Sequence, residues 1–141
     1  MSGLWGFIIG MPVILGNLLL QSIISYWCLQ FYLKRMDRIV CFISGVVPLF
    51  GVATILMVGT LVQVSLWATL FYQLGEFHSF QDAVYHSAVN FSTLGYGDIV
   101  MSVKWRMLGP LEAINGALMI GLSGANMLAV LQHQLKNRLG S

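Results

Sequence analysis

A chain of 141 residues that is 57% hydrophobic and only 9% charged cannot cover a water-facing surface, since soluble domains carry roughly 25% charged residues. With a mean hydropathy of +0.80, this composition excludes an ordinary soluble domain and points to lipid as the solvent. The net charge of +2 is small and the seven basic residues are scattered, which argues against nucleic acid as a partner.

Residues 1–33 contain no charged side chain. A secretory signal would need a basic start, a short apolar core and a small-residue cleavage site. Here the basic start is missing and the first alanine is Ala53. The stretch therefore predicts a transmembrane helix over about 5–33, in which Gly6 and Gly10 form a small-xxx-small pair suited to docking on a neighbour or to ordinary packing. The next uncharged run, 39–75, has 37 residues, more than the ~20 that one span requires. Pro48 suits a first helical turn, so a span is expected over about 48–72, with 39–47 as an interfacial segment or a tilted extension. Trp67, Tyr72 and Trp105 read as interfacial anchors. Cys28 and Cys41 lack metal-site spacing and read as packing residues.

Residues 76–106 are only moderately apolar. Within them 80–92 has helical character, with Asp82 in its first turn, where a carboxylate favours the positive helix end. Residues 93–98 contain two glycines and read as non-helical. A short helix followed by glycine-rich backbone, set between two spans, describes a re-entrant loop. Such backbone is tolerated at membrane depth only when buried in protein or lining water. The last apolar run, 111–132, carries only Glu112, and Gly109-Pro110 before it marks a helix start or a kink; the span is placed at about 110–135.

Lys34, Arg35, Arg38, Lys136 and Arg138 flank one side of this layout, against Lys104 and Arg106 on the other. By the positive-inside rule the C-terminus is cytoplasmic and the N-terminus outside. The fold class expected is an all-α membrane protein of three transmembrane helices plus the re-entrant segment, divided into 1–38 and 39–141. No soluble domain or internal repeat is visible, and Gly140-Ser141 reads as a possible terminal addition.

Chemistry concentrates in Thr93-Leu94-Gly95-Tyr96-Gly97-Asp98. A dehydrated potassium ion crosses only where ligands replace its water, and rings of carbonyl oxygens do so. Pointing successive carbonyls the same way needs unusual backbone angles, which Gly95 and Gly97 permit at little steric cost. The Thr93 hydroxyl can add a further ring. This segment closely resembles the signature of potassium channels, usually Thr-Val-Gly-Tyr-Gly-Asp. The resemblance covers about 52–132 and is to the two-transmembrane-type pore module common in prokaryotes, here preceded by an extra N-terminal helix.

The resemblance implies a homotetramer with C4 symmetry in the inner or plasma membrane, with the lipid bilayer as its other partner. The carbonyls of Thr93, Leu94, Gly95 and Tyr96 would bind the permeant potassium ions, and Gly97 and Asp98 would shape the outer mouth. It implies no enzyme activity, organic cofactor, nucleic acid or small-molecule substrate. Tyr85-His86 stands where many relatives show two bracing tryptophans, Val89 where some have a glutamate, and Glu112 would sit behind the filter with Ser or His partners. Leu94 in place of valine changes little, since its contribution is a carbonyl. The runner-up readings are a weakly selective cation channel and a non-conducting regulatory subunit.

On the last helix, Glu112, Asn115, Met119, Ser123, Asn126 and His133 share one face, and Ala113, Ala117, Gly121, Ala125 and Ala129 form an i, i+4 ridge on another. Two assignments compete. Polar groups in a span avoid lipid, so the polar face could line a cavity. Counting as the resembling family does puts Leu118, Gly121, Ala125 and Ala129 there instead, with close helix packing as the plainer reading of the ridge. Gly116 falls roughly where that family places a gating hinge, with Gly121 and Gly124 as competitors. His78, beside the outer loop, is the expected site of proton sensitivity. No stretch carries the repeated arginines of a voltage sensor.

Overall fold

A computed structural model describes residues 2–36 and 42–139; Arg38, Ile39, Cys41 and Gly140-Ser141 lie outside them. Four helices account for nearly all of the described chain: α1 (Ser2–Met36), α2 (Phe42–Gln73), α3 (Phe80–Phe91) and α4 (Leu108–Leu139). Three contain stretches long and apolar enough to cross a membrane, Trp5–Arg35, Gly45–Gln73 and Leu108–Lys136. At 1.5 Å per residue, 29 residues reach about 43 Å, beyond the ~30 Å hydrocarbon core. The 12-residue α3 reaches only about 18 Å. Ser79 caps it, its hydroxyl accepting from the Asp82 N–H at 3.0 Å, while the Asp82 carboxylate complements the helix dipole.

Helices α1 and α4 run side by side in the same direction. Gly6 abuts Met107, Gly10 abuts Leu108 and Leu111, and further along Gln21 reaches Ser123, Ser25 reaches Asn126 and Tyr32 reaches His133. The glycine pair of α1 thus docks on α4, its small side letting two helices approach. Helix α2 runs antiparallel to α1, with Gly59 against Ile24 and Gly51 against Phe31. The end of α1, the start of α2 and the end of α4 therefore share one end of the bundle, where Gln134 donates to the Gly45 carbonyl at 3.1 Å. Helix α3 and the segment after it lie at the other end, wedged between α2 and α4.

Polarity is inverted relative to a soluble bundle. Leu19, Ile23, Phe50 and Met57 are exposed, whereas Asn17, Gln21, Gln63, Ser87, Glu112 and Asn115 are buried, as expected where lipid makes an outward polar group costly. Three expectations need correction. Pro48 lies inside α2, six residues past its start at Phe42, because the apolar residues before it prolong the helix and a spanning helix tolerates proline. Trp67 is fully buried in the core with Phe71, Phe91 and Leu108, so it is a packing residue and not an interfacial anchor. All three long helices also exceed their expected bounds: α2 reaches back over 42–47 as an extension, and α4 begins with Pro110 in its first turn.

Candidate functional site

Residues 93–98 follow α3 as exposed, non-helical backbone. Thr93, Gly95 and Gly97 have φ of 61°, 57° and 73°, while no other described non-glycine residue has a positive φ. Left-handed residues thus alternate with Leu94 and Tyr96. Alternation of hand turns successive peptide units the same way, so their N–H groups gather on one side and their carbonyls on the other. Glycine adopts the left-handed region freely, whereas Thr93 does so against its Cβ.

The N–H side is anchored. Thr93 N–H donates to Asn90 O at 2.8 Å, and Leu94 and Gly95 N–H both donate to Val89 O at 3.0 and 3.3 Å. The Ser92 hydroxyl joins them on Val89 O at 3.2 Å. Val89 therefore holds the segment through its carbonyl, its own side chain buried. Among the described residues no hydrogen bond ends on the carbonyls of Thr93, Leu94, Gly95 or Tyr96, leaving four consecutive acceptors available. Leu94 and Tyr96 are 55% and 66% exposed, so in this single chain their side chains brace nothing.

Tyr85 and His86 fasten the outer end. The Tyr85 hydroxyl donates to Asp98 Oδ2 at 2.7 Å, and this bond holds the Asp98 carboxyl below the usual aspartate value. His86 is buried between the Phe71 and Phe77 rings, at centroid distances of 5.6 and 5.0 Å. Its Nδ1 lies 2.9 Å from Ile99 O and its Nε2 2.9 Å from Asn90 Nδ2. Burial lowers its pKa, against the opposing pull of the Ile99 carbonyl, Asp98 and Glu76. Glu112 sits behind the segment, fully buried, with Ser87 as its partner; Ser87 also donates to Val64 O at 2.8 Å.

Gly116 packs against the end of α3 so closely that a Cβ there would lie 2.0 Å from Phe91 O. Its lack of a side chain is thus accounted for by close approach alone. Contacts distinguish the two faces of α4. Glu112, Asn115 and Met119 are buried, and Ser123, Asn126 and His133 bond to α1, so the polar face turns inward. Leu118, Gly121, Ala125 and Ala129 are exposed on the opposite side.

Sequence reasoning passed over Asn90, Glu76 and Ser102. Asn90 carried a signal, one turn beyond His86 on the same face of α3. Glu76 and Ser102 carried none: the Ser102 N–H and hydroxyl donate to the two Glu76 carboxylate oxygens at 2.6 and 2.8 Å, joining parts of the chain far apart in sequence.

Three helices long and apolar enough to cross a membrane, with a short helix and an exposed loop held between two of them, mark a multi-pass membrane protein. A family model described as "Ion channel" matches residues 59–133, more than half of the chain, and the chain belongs to that ion-channel family. Helix α1 lies outside the matched stretch. No curated protein and no solved structure matches the chain.

Proposed function

We propose that this chain is one subunit of a potassium-selective channel in which four copies surround one pore. The observation that carries this reading is the left-handed alternation at Thr93, Gly95 and Gly97, with the N–H groups returned to Val89 and Asn90 and the carbonyls unengaged. Four such segments around a common axis would present rings of oxygen from Thr93, Leu94, Gly95 and Tyr96, with the Thr93 hydroxyl at the inner end, to a dehydrated ion. One chain supplies only one segment, so closure needs cyclic symmetry. Gly97 and Asp98 form the outer mouth, where four carboxylates would concentrate cations in a salt-dependent way.

In this reading α3 is the re-entrant pore helix, its negative C-terminal end directed at the cavity. The exposed side of α4, with Leu118, Gly121, Ala125 and Ala129, lines that cavity below the filter. Basic residues place the shared end of α1, α2 and α4 in the cytoplasm, with the N-terminus and the filter facing outward. The protein carries ions passively and is not an enzyme; potassium is its permeant ion, and it uses no organic cofactor.

Purified protein in liposomes should give potassium flux blocked by barium, with a reversal potential that follows the potassium gradient when sodium is present. A reversal potential that weighs sodium equally would favour the weakly selective alternative. A monomeric or dimeric assembly without flux would sink the channel reading altogether.

A further inference from the structure

His86 reveals its own protonation state. A carbonyl oxygen only accepts, so Nδ1, bonded to Ile99 O at 2.9 Å, carries the hydrogen. An amide nitrogen only donates, so Nε2, facing Asn90 Nδ2 at 2.9 Å, carries none. The arrangement is complete only for the neutral ring in this one tautomer. Glu112 shows a parallel logic. Ser87 has one hydroxyl hydrogen and faces two acceptors, Val64 O and Glu112 Oε1. When that hydrogen goes to Val64, the Glu112 contact is completed by a proton on the carboxyl. Glu112 Oε2 is buried without a hydrogen-bond partner.

Proton access comes from a cavity of about 330 Å³ lined by His86, Asn90, Val100, Met101 and Arg106. The charges facing His86 oppose one another. Asp98 and Glu76 act on it from the connecting segments and favour a cation, while Arg106 lines the same cavity and disfavours one. Helix α2 faces it with the Phe71 ring and contains no charged residue. His78, the expected sensor, makes none of these contacts.

We propose that His86 and Asn90 form a proton-operated latch behind the filter, closed while His86 is neutral and released by external acid. A proton on Nε2 makes it a donor facing the donor NH2 of Asn90. The amide then turns over to present its oxygen, withdrawing its hydrogens from their present partner. The change reaches the filter through Ile99, directly after the mouth, whose carbonyl His86 Nδ1 holds. This rests on the channel reading above, and conduction falls as pH drops through the titration of His86.

The test is potassium flux from proteoliposomes over external pH of about 5 to 8. Wild type should lose at least about tenfold in flux, with a midpoint below the ordinary histidine value of about 6.5. H86N retains a donor for Ile99 O but cannot titrate, so its flux should no longer depend on pH. N90D places a carboxylate on Nε2 and should raise the midpoint by about one unit or more. Nitrogen NMR of histidine-labelled channel should find Nδ1-protonated neutral His86 at pH 7.5, a readout independent of flux and of any variant. Pronounced flux with no pH dependence, an unaltered pH profile in H86N, or an Nε2-protonated ring would each overturn the latch while leaving the channel reading intact. Absence of flux at every pH would instead overturn the channel reading and take the latch with it.

Discussion

The half of α4 beside α3 and the half beyond it meet their neighbours by different physics. Near α3, Leu108, Leu111, Glu112, Asn115 and Met119 are buried, and Gly116 admits the α3 backbone at a distance no side chain would allow. Beyond Met119, Gly121 and Gly124 have open space around them, and contact with α1 runs through separated polar pairs, Gln21–Ser123 at 3.1 Å, Ser25–Asn126 at 2.8 Å and Tyr32–His133 at 3.0 Å, interleaved with an apolar cluster in which Val130 and Met127 join Cys28 and Tyr32. The first half is a steric lock and the second a seam of hydrogen bonds. A lock tolerates almost no displacement, because close-packed interiors transmit strain. A seam can open one bond at a time. Gly116 is held in that lock, whereas Gly121 and Gly124 stand clear of neighbouring atoms.

Substitutions on the two halves sharpen this contrast. The largest effect is expected at Gly116→Ala, whose Cβ would meet Phe91 O at 2.0 Å; the backbone must move, at the upper end of the ~1–3 kcal/mol typical of overpacking. Thermal unfolding followed by tryptophan fluorescence should show a clear drop, and an unchanged midpoint would mean that no lock exists. Gln21→Leu comes next. It leaves the Gln63 amide and Ser123 without their partner, at a cost of about 1 kcal/mol in a membrane setting. Combined with Ser123→Ala it should cost less than the two single changes added together, and strict additivity would show that the seam carries no coupling. Gly121→Ala should do least. With nothing within 4 Å, the added methyl gains helix propensity, so stability should hold or rise by up to about 1 kcal/mol. A marked loss would reveal another surface packed against that site.

Local features were legible from the residues alone. The glycine alternation of 93–98 and the short helix before it follow from backbone chemistry and sequence spacing, a serine or histidine partner for Glu112 follows from a family resemblance, and the helix ends fall within six residues of expectation. What escaped was pairing between helices. Asn17, Gln21 and Gln63 sit in apolar runs and announce only that something polar must be answered inside the bundle; which partner answers depends on the rotation and register of two helices, and no local pattern encodes either. Trp67 misled for the same reason. An indole near a helix end reads as a belt residue until a neighbour, here Gly10 of α1, is known to cover it. The two faces of α4 could likewise be separated by period but not assigned until α1 was placed.

The Glu76–Ser102 pair bears on mechanics. Its two bonds, 2.6 and 2.8 Å long, cinch the excursion between α2 and α4 at its neck, since Glu76 follows the end of α2 and Ser102 precedes α4. A carboxylate with both oxygens engaged acts as a clasp, so the stretch of chain that carries α3 and residues 93–98 leaves and rejoins the bundle at one point.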